Sequence, residues 1–151
     1  MGKDGRRKPC KCITIVTHLL MPKRELVVHE GGCFTIEWGP AENGECQAWD
    51  YYDGMVATDR QKALALFARM GDHGKIFDRT KFTKETDSLY AFKPQPHRFF
   101  CFFVKGKRTV IVTAYRKQGD KAPKREIDRA ESIRSEWLDR VEAEEDERGE
   151  E

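Results

Sequence analysis

Two side chains, Arg98 and Tyr115, carry the groups that could act together on an anion: a guanidinium with a planar fork of donors and a phenol with one proton. They meet only if the strands that carry them pair. His97 to Val104 and Thr109 to Arg116 are rich in aromatic and β-branched residues and are separated by Lys-Gly-Lys-Arg, which marks a hairpin. A two-residue turn with Gly106 at its first central position sets Lys105 against Arg108 and, counting back, Arg98 against Tyr115. Alternation then sorts the faces. Phe99, Cys101, Phe103, Val110, Val112 and Ala114 make an apolar face that must be core. Arg98, Thr109, Thr113 and Tyr115 share the other with Phe100, Phe102 and Ile111, and that face could be a site.

The charges around this hairpin point to an anionic partner. Residues 75–125 hold fourteen Lys or Arg against four Asp or Glu, and the formal net charge of the whole chain, +2, hides this because residues 142–151 carry seven acidic side chains and one Arg. Such local basicity suits RNA. Lys75 to Asp87 has no clear period and sets Lys75, Arg79, Lys81 and Lys84 around Phe77 and Phe82, a pattern that suits a loop touching a nucleic-acid backbone.

The elements that must position these residues can be read in order. Residues 1–32 form an N-terminal extension, basic and Gly-rich at its start and expected to be partly disordered, in which Ile13–Leu20 and Glu25–His29 are each a strand or a loose extension. Cys33 to Gly39 alternates Phe34, Ile36 and Trp38 on one face and reads as a strand. Residues 46–73 read as a helical hairpin, with Ala48, Trp49, Tyr52 and Met55 on its first helix. Thr58-Asp59 can cap the second, whose stripe is Ala63, Leu64, Leu66, Phe67 and Met70 and whose stop is Gly71 and Gly74. A short strand precedes Pro94-Gln95-Pro96, which fixes a turn just before His97. Pro123 opens a last helix along Glu126, Ile127, Ala130, Ile133, Trp137 and Val141, and the acidic residues 142–151 are expected to fray. The organisation is thus an extension over 1–32, one domain over 33–141 and a tail over 142–151.

Five cysteines, an odd number, favour a reducing cytoplasm over a disulfide framework. Cys10, Cys12, His18 and Cys33 match no standard zinc spacing, so no metal or cofactor is expected. The apolar run Ile13 to Met21 is too short and too interrupted for a signal peptide, and no stretch approaches the roughly 20 apolar residues of a membrane span.

Six pieces in order carry a resemblance: Gly74; Lys81-Phe82; Leu89-Tyr90-Ala91-Phe92-Lys93-Pro94; Arg98 through Phe103; Ala114-Tyr115-Arg116-Lys117; and Pro123 through Ala130. Over Ala48 through Leu138 the chain resembles the phage-associated HigB-type branch of the RelE/ParE toxin superfamily. It departs from that pattern at Thr113, where a His is usual, and at Gln118, where a second Lys is usual. The resemblance implies an α+β, RelE-like compact fold: an antiparallel sheet of about four strands, an N-terminal helical hairpin on one face and a C-terminal helix. It also implies a cytoplasmic toxin of a type II toxin-antitoxin pair, a metal-independent, ribosome-dependent mRNA endoribonuclease restrained by a HigA-like helix-turn-helix antitoxin. Under it Arg98 grips the scissile phosphate and Tyr115 or His97 transfers a proton, while Lys81, Lys84, Lys93, Arg116, Lys117 and Lys124 bind flanking phosphates or ribosomal RNA. Two alternatives stay open: a ParE-like toxin that binds gyrase without hydrolysis, and a catalytically silent RNA- or protein-binding regulator of the same fold.

Overall fold

The computed structural model describes residues 26–119 and 121–149, so the first 25 residues, with Cys10, Cys12 and His18, lie outside it. Strand β1, Val27–Glu30, runs antiparallel to β2, Thr35–Trp38. Helix α1, Gln47–Asp53, and helix α2, Ala57–His73, follow, then two short strands, β3 at Phe82–Lys84 and β4 at Tyr90–Phe92. The long hairpin is β5, His97–Val104, with β6, Arg108–Arg116, and helix α3, Lys124–Gly149, closes the chain.

The α+β class is as expected, but the sheet is larger and differently built. It has six strands in the order β1-β2-β6-β5-β4-β3, and β2 pairs in parallel with β6, Thr35 beside Arg108 through Trp38 beside Ile111. Two strands therefore precede the helical hairpin. The segment Glu25–His29, read as strand or loose extension, contributes the edge strand. Sequence neighbours suggested a purely antiparallel sheet because β2 and its partner β6 lie far apart in the chain, and local hairpin logic does not reach such pairings.

The hairpin register differs from expectation in a revealing way. Its loop is three residues, Lys105-Gly106-Lys107, with φ of 87° at Gly106 and 57° at Lys107, so Val104 rather than Lys105 faces Arg108. Further along, Cys101 pairs with Ile111 but Phe100 pairs with Thr113, so one residue of β6 is inserted as a bulge. The bulge cancels the one-residue error of the loop, and Arg98 faces Tyr115 as the sequence suggested.

Burial follows from that register. Phe99, Cys101 and Ile111 pack under α1 and α2 with Ile36, Trp38, Ala63, Phe67, Met70 and Phe92. Phe100, Phe102, Val110 and Val112 pack under α3 with Leu89, Ala91, Ala130 and Trp137. Val110 and Val112 on one side and Ile111 on the other have thus exchanged the faces first assigned to them, because the three-residue loop shifts the pairing by one and the bulge restores it only beyond Val112. The second face is a core too, not an open site: α3 lays Trp137 edge-on against Phe102, ring centroids 5.5 Å apart. The end of the hairpin that carries His97, Arg98, Tyr115 and Arg116 is where its candidate chemical groups collect.

Helix ends show how local signals were overridden. Helix α2 begins at Ala57 after Val56, whose side chain makes no capping hydrogen bond, and Asp59 is used elsewhere. Gly74, left-handed at φ 78°, ends the helix with its N–H donating to Met70 O. Gly71 does not stop it. Its carbonyl accepts the N–H groups of Cys33 at 2.8 Å and Phe34 at 2.9 Å, tying the β1–β2 turn to α2. Gly31 packs directly on it: a methyl there would stand 2.1 Å from the Gly71 carbonyl carbon, whereas one on Gly32 would meet nothing within 4 Å. Gly31→Ala should therefore lower stability by about 1–3 kcal/mol, while Gly32→Ala changes it little. Urea denaturation midpoints of the two variants against the parent check this.

Candidate active site at the open end of the hairpin

Adjacent residues at the start of β5 point to opposite sides of the sheet. Arg98 goes to the α3 side, opposite Tyr115, and is 8% exposed. Its Nη1 donates to Gln95 Oε1 at 3.2 Å and to the His97 carbonyl at 3.0 Å. Both acceptors are neutral. Among the described residues no carboxylate takes the fork, and Glu85 acts on it only at longer range. Burial pulls the guanidinium below its usual value, with Tyr115 and Glu85 opposing, yet a guanidinium starts so high that it stays charged.

Other cations stand close to Arg98. Burial first, then Arg98, Arg79 and Lys117, push the Lys93 ammonium below its usual value, and Glu85 alone opposes them. Lys93 Nζ lies 3.9 Å from Glu85 Oε2 and donates to the Arg79 carbonyl at 3.4 Å. Tyr115 is pushed above the ordinary phenol value by burial, by Glu85 and by Glu126, against Arg98. It keeps its proton at neutral pH and is a donor rather than a base.

His97 goes to the other side and is pinned at both ring nitrogens. Nδ1 meets the Tyr51 hydroxyl of α1 at 2.7 Å and Nε2 meets Asp59 Oδ2 of α2 at 2.8 Å. The histidine hydrogen bond, followed by the imidazole and Lys62 charges, holds Asp59 below the usual carboxylate range although burial opposes it. Tyr51 is pushed up by burial and Asp59, with Arg116 opposing. In the neutral ring, then, Tyr51 donates to Nδ1 and the Nε2 proton goes to the Asp59 carboxylate. The strand face that Phe99 and Cys101 make apolar holds this polar chain at its end.

Two clefts flank this end. The larger, about 910 Å³, lies between α2 and the segment after it and is lined by Lys62, Arg69, Lys75, Lys81 and Lys93 among others, with Phe77 at its rim. Phe77 is 84% exposed, and Lys75 Nζ stands 5.7 Å from its ring centroid. The smaller, about 250 Å³, is lined by Tyr51, Tyr115, Arg116, Arg125, Glu126 and Arg129, with Gln47 on its wall. Gln47 bridges the backbone of Ala114, donating to its carbonyl at 2.9 Å and accepting its N–H at 2.6 Å, which fixes α1 against β6.

Of the residues singled out in the sequence, Arg98, Lys93 and Lys117 share one electrostatic cluster, Lys81 joins Lys93 in the larger cleft, and Tyr115 and Arg116 line the smaller. Lys84 is exposed on β3 and lines neither cleft, and Lys124 is spent on Asp128, 2.8 Å away. Sequence reasoning missed Tyr51, Asp59 and Glu126 as site residues. Asp59 resembled a helix cap, Tyr51 stood beside the core-spaced Tyr52, and Glu126 sat in an ordinary helix start.

The model of the phage-derived Gp49-like family matches residues 50–135. The chain belongs to that family. The Gp49-like family is part of the RelE/HigB-like toxin superfamily. Its matched span runs from α1 into α3, so it takes in Tyr51, Asp59, His97, Arg98 and Tyr115 and leaves out β1 and β2. No curated protein matches the chain. Among the described residues no helix is long and apolar enough to cross a membrane.

The Asp59–His97 pair sets a pH dependence. Because the folded-state carboxyl sits below its unfolded value of about 4, the pair stabilises the fold above that pH and is lost as pH falls through the folded value. Asp59→Asn should therefore melt below the parent at pH 6, with the gap narrowing as the pH drops below about 4. Asp78, also held low by Thr80, titrates in both proteins and cancels in the comparison. Thermal melts of both from pH 6 downward check this.

Proposed function

We propose that this Gp49-like protein is the toxin of a type II toxin-antitoxin pair: a cytoplasmic, ribosome-dependent mRNA endoribonuclease of HigB type, held in check by a HigA-like helix-turn-helix antitoxin. The observation that carries the reading is Arg98, a buried guanidinium with no carboxylate partner among the described residues, near Lys93, on which Arg79 and Lys117 also act, and opposite a protonated Tyr115. A fork held only by neutral acceptors keeps donors for a phosphate, and a partly dehydrated guanidinium binds one more strongly than an exposed one.

The chemistry follows from what such a group can stabilise. A ribose 2′-hydroxyl attacks the adjacent phosphorus, and the developing charge on the phosphorane falls on Arg98. No metal is required for that step. Tyr115, keeping its proton, donates to the departing 5′-oxygen, which leaves as a hydroxyl beside a 2′,3′-cyclic phosphate. The larger basic cleft, with Lys81, Lys93 and the exposed Phe77, suits the flanking strand: cations track the backbone and an open ring stacks on a base.

A second reading has one specific observation behind it. Thr113 stands where the toxin pattern has a His, and its hydroxyl is buried without a hydrogen-bond partner among the described residues. That favours a catalytically silent regulator of the same fold that binds RNA or a protein.

Induced expression should halt growth and cut messages within translated frames. Arg98→Ala should abolish this, and Arg98→Lys, which keeps the charge but loses the fork, should slow cleavage about 100-fold or more. Primer extension on cellular messages, with thermal melts of both variants as the folding control, checks it. Arrested supercoiling with intact messages indicates the gyrase-binding alternative, and intact messages with normal growth indicate the regulator.

A further inference from the structure

We infer that Tyr51, backed by His97 and Asp59, is the group that takes the proton of the attacking 2′-hydroxyl, and that the smaller cleft beside it is where the reacting ribose sits. This rests on the nuclease reading above and completes it. Tyr115 can give a proton, but the group opposite it, the Arg98 guanidinium, cannot take one on. The Tyr51–His97–Asp59 chain can, because its hydrogen bonds run in one direction from the cleft to a carboxylate, at 2.7 Å and then 2.8 Å.

The order of the groups is that of a hydroxyl activated by an imidazole that a carboxylate orients. Here the hydroxyl is not the nucleophile but the relay. As the bond from O2′ to phosphorus forms, the 2′ proton passes to Tyr51 Oη and the Tyr51 proton passes to His97 Nδ1. The resulting imidazolium is stabilised by the Asp59 carboxylate at Nε2. The bond from phosphorus to O5′ breaks, and O5′ takes the Tyr115 proton. Solvent then restores the proton to Tyr115 and removes the one on His97 through Tyr51, and the cycle closes.

A buried histidine satisfied at both nitrogens can equally be a clamp holding α1 and α2 on β5. Two features of the cleft argue for more. A clamp gains nothing from ending on a half-buried hydroxyl at the wall of a cavity lined by Arg116, Arg125 and Arg129. Glu126, 6% exposed, also lines that cavity, and its Oε1 has no hydrogen-bond partner among the described residues, its closest cation being Arg129 at 3.4 Å. A cavity with three guanidinium groups, a phenol at each side and a carboxylate oxygen that is ion-paired but not hydrogen-bonded fits a ribose-phosphate, whose hydroxyls donate and whose phosphate accepts.

The groups facing the relay are Asp59 and Lys62 from α2, Arg116 from β6, and Arg125, Glu126 and Arg129 from α3. The test is single-turnover cleavage of a message on programmed ribosomes by the purified full chain, followed against pH, with a message 2′-deoxy at the cut site as the control. Tyr51→Phe keeps the ring against Phe99 and removes only the hydroxyl. It should lower the cleavage rate about 10²–10⁴-fold, leave the half-saturating ribosome concentration within twofold, and make the rate first order in hydroxide. Asp59→Asn, with its side chain partly in solvent, should bend the profile the same way with a smaller loss, so the relay stays testable if Tyr51→Phe fails to fold. A Tyr51→Phe rate within threefold of the parent with an unchanged profile overturns the relay and leaves a clamp. So does a loss confined to ribosome affinity, and so does Glu126→Gln abolishing cleavage while Tyr51→Phe spares it. A parent that cuts no message overturns the nuclease reading and the relay with it, whereas a parent that cuts and an unaffected Tyr51→Phe overturn the relay alone.

Discussion

The single inserted residue in β6, where Cys101 pairs with Ile111 but Phe100 with Thr113, is the constraint on which the rest depends. A strand with unbroken alternation would send Val110 and Val112 to the same side as Ala114. The bulge lets Val110 and Val112 pack under α3 while Ile111 and Ala114 pack under the helical hairpin. Without it the distal half of β6 would present the wrong side chains to each helix layer, since a slip of one residue reverses every position. With it, the hairpin is buried on both faces along most of its length, and Arg98 still faces Tyr115 at the far end. The geometry of the site is thereby tied to the packing of the core.

Burial on both faces also explains why the cations gather where they do. With α1 and α2 on one side and α3 on the other, the polar residues of β5 and β6 have only the strand ends at which to reach solvent. His97, Arg98, Tyr115 and Arg116 therefore collect at one end, and Lys93 and Lys117 come to the same place from the flanking segments. Gathering like charges in a partly dehydrated region is unfavourable: burial lowers both Lys93 and Arg98, and the neighbouring cations lower Lys93 further. Glu85 offsets it only in part. A fold that tolerates such repulsion gains most when an anion arrives, which is the thermodynamic content of reading this end as a phosphate site.

Much of this was legible in the sequence, and what was not has identifiable causes. The hairpin, both helices of the helical pair and the last helix follow from periodicity and from Gly and Pro punctuation, and Arg98 against Tyr115 follows from counting. That count reached the right pair through a loop one residue too short and a bulge it did not contain, because neither Gly106 nor Val112 carries a signal that distinguishes the alternatives. The parallel pairing of β2 with β6 was out of reach because no local pattern encodes a partner some 70 residues away. Lys84 and Lys124 have the same side chain as Lys93, and only tertiary placement separates them. Tyr51 and Asp59 were missed for a related reason: a residue on a helix acquires a site role from what it meets across the sheet edge, and His97 is 46 and 38 residues from them.

The alternation of a β-strand also decides how this end could divide its labour. His97 and Arg98 are neighbours in the chain, so one must face the helical hairpin and the other α3. The guanidinium and the imidazole are thus on opposite sides of the sheet and cannot both touch one substrate atom directly. A substrate engaging both must do so through groups that reach round the strand ends, and the residues opposite them in β6 are placed for that. Arg116, paired with His97, acts on Tyr51, and Tyr115, paired with Arg98, lines the same small cleft as Tyr51. Two phenols, one backed by a histidine and the other by an arginine, therefore bound a single cavity from the two faces of one sheet. The roles proposed for them differ because their neighbours differ: Tyr51 has an imidazole nitrogen to which its proton can move, whereas burial, then Glu85 and Glu126, hold the Tyr115 proton in place.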